Sequence, residues 1–125
     1  MKNYKGRKVW QRGLEVVTAV YALIRQLPRE ETYRLRSQMT RAAVSIPPNI
    51  AEGSSRTSEK EYRHFLEIAL GSCFELETQL IVAIQNDLST LVLDNQLPNL
   101  LEEEIKMLHS FIGRLMQNEK LTAIS

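Results

Sequence analysis

An unbroken apolar heptad runs through the middle of this chain: Tyr62, Leu66, Ala69, Cys73, Leu76, Leu80 and Ala83. Spacings of four and three put all of them on one face of an α-helix. Ser58 with Glu61 forms a capping-box pattern at its start, and Glu59 adds a first-turn acid where the helix dipole favours one. The run continues to about Asp87, roughly 45 Å of helix at 1.5 Å per residue. Phe65 and Ile68 widen the stripe early, and Phe74, Ile81 and Ile84 widen it late. A stripe this long is buried only by other helices of similar length, so this one segment already points to a helical bundle.

The flanking segments supply those partners. From Val9, the positions Trp10, Leu14, Val17, Tyr21 and Ile24 form one stripe, and Val9, Val16, Val20, Leu23 and Leu27 form a second beside it. Together they exceed the arc that a single seam needs, so one stripe is expected to face the core and the other a neighbouring chain. Pro28 ends this helix. A second helix is expected to start between Glu30 and Tyr33, its stripe being Leu35, Met39, Ala42, Ile46 and Ile50. A last helix follows Pro98, with Asn99 and Glu102 as a cap pair and Leu101, Ile105, Leu108, Ile112 and Leu115 as its stripe. Leu88, Leu91, Val92 and Leu93 either extend the third helix or form an apolar loop on the bundle end. Strand-like alternation and internal repeats are absent. The expected fold is all-α: one domain over residues 1–125, an antiparallel up-down-up-down four-helix bundle with helices near 7–26, 31–53, 58–87 and 97–118 and a kinked second helix.

The kink is expected in Arg41-Ala42-Ala43-Val44-Ser45-Ile46-Pro47-Pro48-Asn49-Ile50-Ala51-Glu52-Gly53, which has the spacing of a buried helix interrupted by two prolines. Each proline removes one helical hydrogen bond and presses its ring on the carbonyl four residues back. Ser45 could serve as a fresh N-cap that leaves both prolines in a first turn, and Gly53 fits a left-handed C′ residue. Arg41 and Ser45 share a face, Ser45 and Asn49 are four apart, and Asn49 and Glu52 lie close enough to satisfy groups that a kink frees. Arg56 follows in the turn. This polar set, Arg41, Ser45, Pro47, Asn49, Glu52, Gly53 and Arg56, reads mainly as architecture.

Catalytic or metal chemistry finds little support. His64 and His109 read as surface or boundary residues, and Cys73 lies on the apolar seam with no histidine one turn away. Glu61-Tyr62-Arg63-His64 has the Glu-x-x-His spacing of di-iron bundles once only, and the glycines form no phosphate loop. The reading is therefore a non-enzyme with no metal and no cofactor. A single cysteine excludes an internal disulfide, no apolar run suits a membrane span, and the start lacks a signal-like apolar core. These features lead to the expectation of a cytoplasmic protein without a membrane partner.

Net charge is only +1, but it is unevenly spread. Residues 1–42 hold ten Lys or Arg against three acids, and residues 43–125 hold six against twelve. The basic third either meets a nucleic-acid backbone or pairs with the acidic remainder, within or between subunits. Candidate nucleic-acid contacts are Lys2, Lys5, Arg7, Lys8, Arg12, Arg29, Arg34 and Arg36, with Tyr4 and Trp10 near the first group.

An ordered set of residues carries a family resemblance. It comprises Trp10-Gln11, Leu35 to Gln38, Arg41 to Pro47, Asn49 to Gly53, Arg56, Phe65-Leu66, Ala69 to Ser72 and Glu75 to Leu80. The chain resembles the four-helix-bundle proteins encoded in intervening sequences of bacterial 23S rRNA genes. Pro48 departs from the small residue common there, and 85–97 lacks the usual Gly-Tyr-Leu turn. The resemblance implies a homopentamer of up-down-up-down bundles arranged as a barrel. A related accessory protein of diversity-generating retroelements binds a reverse transcriptase and nucleic acid through basic surfaces. By that resemblance the expected partners are copies of the chain itself and RNA, DNA or a nucleoprotein. The alternative is a purely structural or protein-interaction scaffold.

Overall fold

The computed structural model describes residues 3–30 and 32–124. A short 3-10 turn, Tyr4–Gly6, leads into α1 (Lys8–Gln26), α2 (Tyr33–Ser54) and α3 (Glu59–Ala83). A π-type turn, Ile84–Leu88, and a one-turn helix α4 (Ser89–Leu93) then lead into the long α5 (Leu97–Ile124). The four long helices alternate in direction. Among the described residues α1 packs on α2, α2 on α3, α3 on α5 and α5 back on α1, so each has two neighbours and one diagonal opposite. This is the antiparallel four-helix bundle.

The two stripes of α1 separate as their spacing requires. Val9, Val16, Val20, Leu23 and Leu27 enter the core, whereas Leu14 and Tyr21 stay about two-fifths exposed at 42% and 40%. On α3 the heptad from Tyr62 to Ala83 is buried, and Phe74 and Ile81 are left on the outer side. Total accessible surface is 7723 Å², above the roughly 6,800 Å² usual for a compact monomer of this mass.

The proline segment resolves differently from the expected alternatives. Ser45 does not cap a new helix: α2 runs through Pro47 and Pro48 without a break to Ser54. Ser45 Oγ lies 2.8 Å from the Ala42 carbonyl and 2.6 Å from Ser72 Oγ, tying α2 to α3. Asn49 Nδ2 donates to the Ser45 carbonyl at 2.7 Å and so braces the turn that contains the prolines. The departure from helical dihedrals occurs instead after α3, at Asn86 and at Asp87, whose φ of 70° is left-handed. The run continuing from α3 into α4 is therefore the kinked helix of this bundle. Leu88 and Leu91 pack partly against the core there and Val92 fully, so this segment is both a helical extension and an end-plug.

Two expected helix ends are also corrected. Gly53 is not a left-handed stop; it lies inside α2 with no positive φ, buried where a Cβ would meet Phe65 Cβ and Tyr62 Cδ1, both at 2.9 Å. Its smallness serves the approach of α2 to α3, not chain reversal. α2 begins at Tyr33, the late edge of the expected range, past Glu30, while Glu31 lies outside the described residues. At α5, Asn95 and not Asn99 accepts from the first turn, with its Oδ1 2.8 Å from Leu97 N. Ser58 does cap α3, accepting from Glu61 N at 3.1 Å. The last residues continue α5 to Ile124.

Candidate nucleic-acid interface

Antiparallel packing decides which basic residues meet. The start of α1 lies against the second half of α5, and the loop after α1 lies at the other end of the bundle, about 27 Å away along α1 at 1.5 Å per residue. The sequence-expected patch is thereby divided. Lys5, Arg7 and Lys8 are exposed at the first end, while Arg29, Arg34 and Arg36 surround the α1–α2 connection at the second. Arg36 is occupied in part by that connection, its Nη2 donating to the Arg29 carbonyl at 2.8 Å. Lys2 lies outside the described residues.

Arg12, grouped by sequence with the first end, points elsewhere. Its guanidinium pairs with Glu15 at 2.6 Å and with Glu103 of α5 at 3.0 Å. It is a bridge between α1 and α5, which weakens its standing as a phosphate contact.

Two cations that sequence reasoning left out, Lys106 and Arg114, take its place beside Arg7 and Lys8. The Arg7 guanidinium sits 5.0 Å from the centre of the Phe111 ring, and Arg114 lies 5.3 Å from the same ring. A ring face attracts a cation through its quadrupole, so one buried aromatic holds two arginines near each other despite their like charge. Lys8 and Lys106 line the same groove with Met107 and Ser110. Lys106 has an exposed partner in Glu102 at 3.2 Å. Among the described residues Arg7, Lys8 and Arg114 form no ion pair. The signal for this cluster was present in the sequence: an antiparallel bundle sets the first turn of its first helix beside the later turns of its last.

Tyr4 packs edge-on against Trp10 at 5.4 Å, and Gln11 Nε2 donates to the Lys5 carbonyl at 3.0 Å. These contacts fix the 3-10 turn that carries Lys5. Trp10 is half-buried against the core and is not a free stacking platform. Phe111 also meets Tyr62 edge-to-face at 5.1 Å; burial raises the Tyr62 phenol above its ordinary pKa, and nearby Arg7 opposes that rise.

The proline-containing motif assembles into a structural unit. Arg56 pairs with Glu52 one turn back and lies 4.7 Å from the centre of the Phe65 ring. Pro47 and Gly53 are buried, Asn49 and Ser45 are half-buried, and Arg41 is exposed. Ser58 Oγ is used as the cap of α3, accepting from Glu61 N.

Chemistry elsewhere is sparse. His64 and His109 are exposed, the second in tilted contact with Phe74 at 5.9 Å. Cys73 is fully buried, and desolvation, with help from Glu104, pushes its thiol up to about 12, far from a reactive thiolate. Among the described residues no three His, Cys, Asp or Glu side chains are placed to hold a metal ion, and no helix is long and apolar enough to cross a membrane.

With this geometry in hand, comparison with known families becomes informative. The profile of the 23S rRNA-intervening sequence proteins matches residues 5–110, most of the chain. The chain belongs to that family. No curated protein matches it closely enough to add a second comparison. The match to the intervening sequence proteins takes in the whole proline motif together with Arg7, Lys8 and Lys106, and stops just short of Phe111 and Arg114. Membership thus accounts for the bundle, while one of the four cations of the basic cluster, Arg114, lies beyond the matched span together with the Phe111 ring.

Proposed function

We propose that this protein is a non-catalytic homo-oligomeric bundle, a pentamer, that binds the phosphate backbone of RNA or DNA, free or within a nucleoprotein, through its basic end. The observation that carries the reading is the cluster of Arg7, Lys8, Lys106 and Arg114 around Phe111. Two helices distant in sequence contribute to it, and three of its cations have no acidic partner among the described residues. Exposed, unpaired cations at a helix start attract phosphate without base specificity.

Self-association draws support from the outward faces of α1 and α3. Leu14 and Tyr21 lie on one, Phe74 and Ile81 on the other, and these helices are diagonal in the bundle. Two different apolar faces on opposite sides suit a head-to-tail contact, the kind that closes rings. A ring would repeat the modest basic cluster in each subunit and strengthen weak binding through avidity. The scaffold reading gains from one observation, the Arg12–Glu103 bridge, in which a basic residue of the first third is spent on an acid of the remainder.

Fluorescence anisotropy with labelled single-stranded RNA and DNA tests the proposal. Binding should weaken steeply with salt, and replacing Arg7 and Arg114 together by Gln should reduce the log–log salt slope by about 2, near one per lost phosphate contact. Absence of binding at low salt with micromolar protein would refute nucleic-acid recognition and favour the scaffold. Native mass spectrometry checks the assembly, for which five copies are expected and a monomer would sink the ring.

A further inference from the structure

Glu104 is the most anomalous residue in the bundle. It stands three residues after Leu101 and four before Leu108, on the apolar stripe of α5, and its exposure is 0%. Neither carboxyl oxygen has a hydrogen-bond partner, and no cation forms an ion pair with it. Its Oε2 lies 3.0 Å from the point where Gly13 would carry a Cβ, a point that Ile46 Cγ2 approaches to 3.3 Å and Pro47 Cγ to 3.5 Å. Glu104 therefore occupies the space opened by the glycine of α1, beside the first of the two prolines of α2. A carboxylate without a partner in such a place carries a desolvation cost that a neutral acid avoids.

The proline beside the site leaves one carbonyl of α2 without its helical donor. Pro47 has no N–H to give the carbonyl of Ala43, which lies one turn back on the same face of α2, and Ala43 is fully buried. The charged and titratable groups facing the site are few. From α1 come Arg12, held by Glu15 and Glu103, and Glu15 itself; from α3 comes the Cys73 thiol, with Glu77 behind it; α2 presents Ile46 and Pro47, which do not titrate.

We propose that Glu104 is a proton-binding site built into the fold, a carboxylic acid that stays neutral among α1, α2 and α5 and loses its proton only at the expense of their packing. Desolvation raises its pKa to about 8, against the opposing pull of Arg12, which agrees with this geometry. Because the folded value lies above the ordinary 4.5, the unfolded chain releases the proton first as pH rises. Stability from this site is complete below about 4.5, declines between there and about 8, and changes no further once both states are ionised. Charging also gives Arg12, whose Nε is buried without a partner, a reason to leave Glu15 and Glu103. The device thus couples proton release to the contact between α1 and α5, next to the basic end.

The test compares denaturant unfolding of the full chain and Glu104→Gln from pH 5 to 9. Gln keeps the shape and a donor but cannot ionise. The wild-type folding constant should fall about tenfold per pH unit relative to Glu104→Gln between about pH 5 and 8, then run parallel to it. Curves that stay parallel from pH 5 to 8 overturn the proposal. Infrared spectroscopy of the wild type with 13C-labelled glutamate needs no variant. A protonated-carboxyl band at pH 7 that vanishes as pH passes about 8 supports the site, and only ionised glutamate at pH 7 refutes it.

Discussion

Where α2 passes into α3, nearly every side chain has a partner that explains it. Gly53 lets the helices touch, Ser54 and Ser55 each donate back to a carbonyl of the preceding turn, Arg56 pairs with Glu52 and covers Phe65, and Ser58 caps α3. Where α3 passes into α5, at the other end, the chain takes a π-type turn, a residue in left-handed conformation and a single turn of helix. There Asn86 bonds back to Val82, Asn95 caps Leu97, and apolar burial by Val92 supplies much of the rest. One connection is held by specific short-range contacts and the other by an apolar plug. They should therefore respond to substitution in different ways.

The largest expected effect is at Gly53. A methyl group there meets the Phe65 Cβ and Tyr62 ring at 2.9 Å and the Tyr62 carbonyl at 3.1 Å, and backbone cannot swing aside as a flexible side chain can. Gly53→Ala should cost about 3 kcal/mol, the upper part of the range for overpacking, measured by urea unfolding. Gly113→Ala is the control, since nothing lies within 4 Å of its added Cβ. It should gain about 0.5–1 kcal/mol from helix propensity. Equal effects at the two glycines would show that close approach of α2 and α3 does not depend on Gly53.

The caps give the next step down. Ser58→Ala removes the acceptor for Glu61 N and should cost about 1 kcal/mol. Asn95→Ala removes the acceptor for Leu97 N, but Leu97 is also anchored by complete burial, so about 0.5 kcal/mol is expected. Hydrogen exchange should show the first loss across the opening turn of α3 and the second spread weakly over α4 and the start of α5. If Asn95→Ala costs more than Ser58→Ala, the contrast between the two connections is wrong.

How much could be read in advance follows the same division. The four long helices and the Ser58 cap were legible because periodicity and capping are local patterns that packing reinforces. The two stripes of α1 were legible as a pair, but which of them faces the core was decided only by the packing. Gly53 was misread because its sequence context, a glycine before a polar turn, is also that of a helix stop; only the position of Phe65 distinguishes them. The prolines were expected to kink α2, with a fresh N-cap at Ser45 left open, yet α2 runs unbroken through them with Ile46, Pro47 and Ile50 buried. At the candidate interface, Lys5, Arg7 and Lys8 were legible as charges, while their neighbours Lys106 and Arg114 depend on which helices are antiparallel. Glu104 left a trace, an acid on an apolar stripe, but its meaning needs Gly13 opposite it.

Substitutions at Asp87 are expected to have effects no larger than that of the Ser58 cap, and they probe the apolar plug directly. Its φ of 70° and ψ of 18° belong to the left-handed region, where an L side chain is strained and aspartate is among the better tolerated. Asp87→Gly removes that strain but frees the unfolded chain, so the net gain should be only about 0.5 kcal/mol. Asp87→Ala keeps the strain, loses the polar side chain suited to it and should cost about 1 kcal/mol. Opposite signs in thermal unfolding would mean that the turn is held in its conformation by burial of Val92 and Leu97 further along the chain, with Asp87 adapting to it. If both variants destabilise equally, the aspartate carboxylate itself holds the turn. The two ends of the bundle would then be built on the same principle.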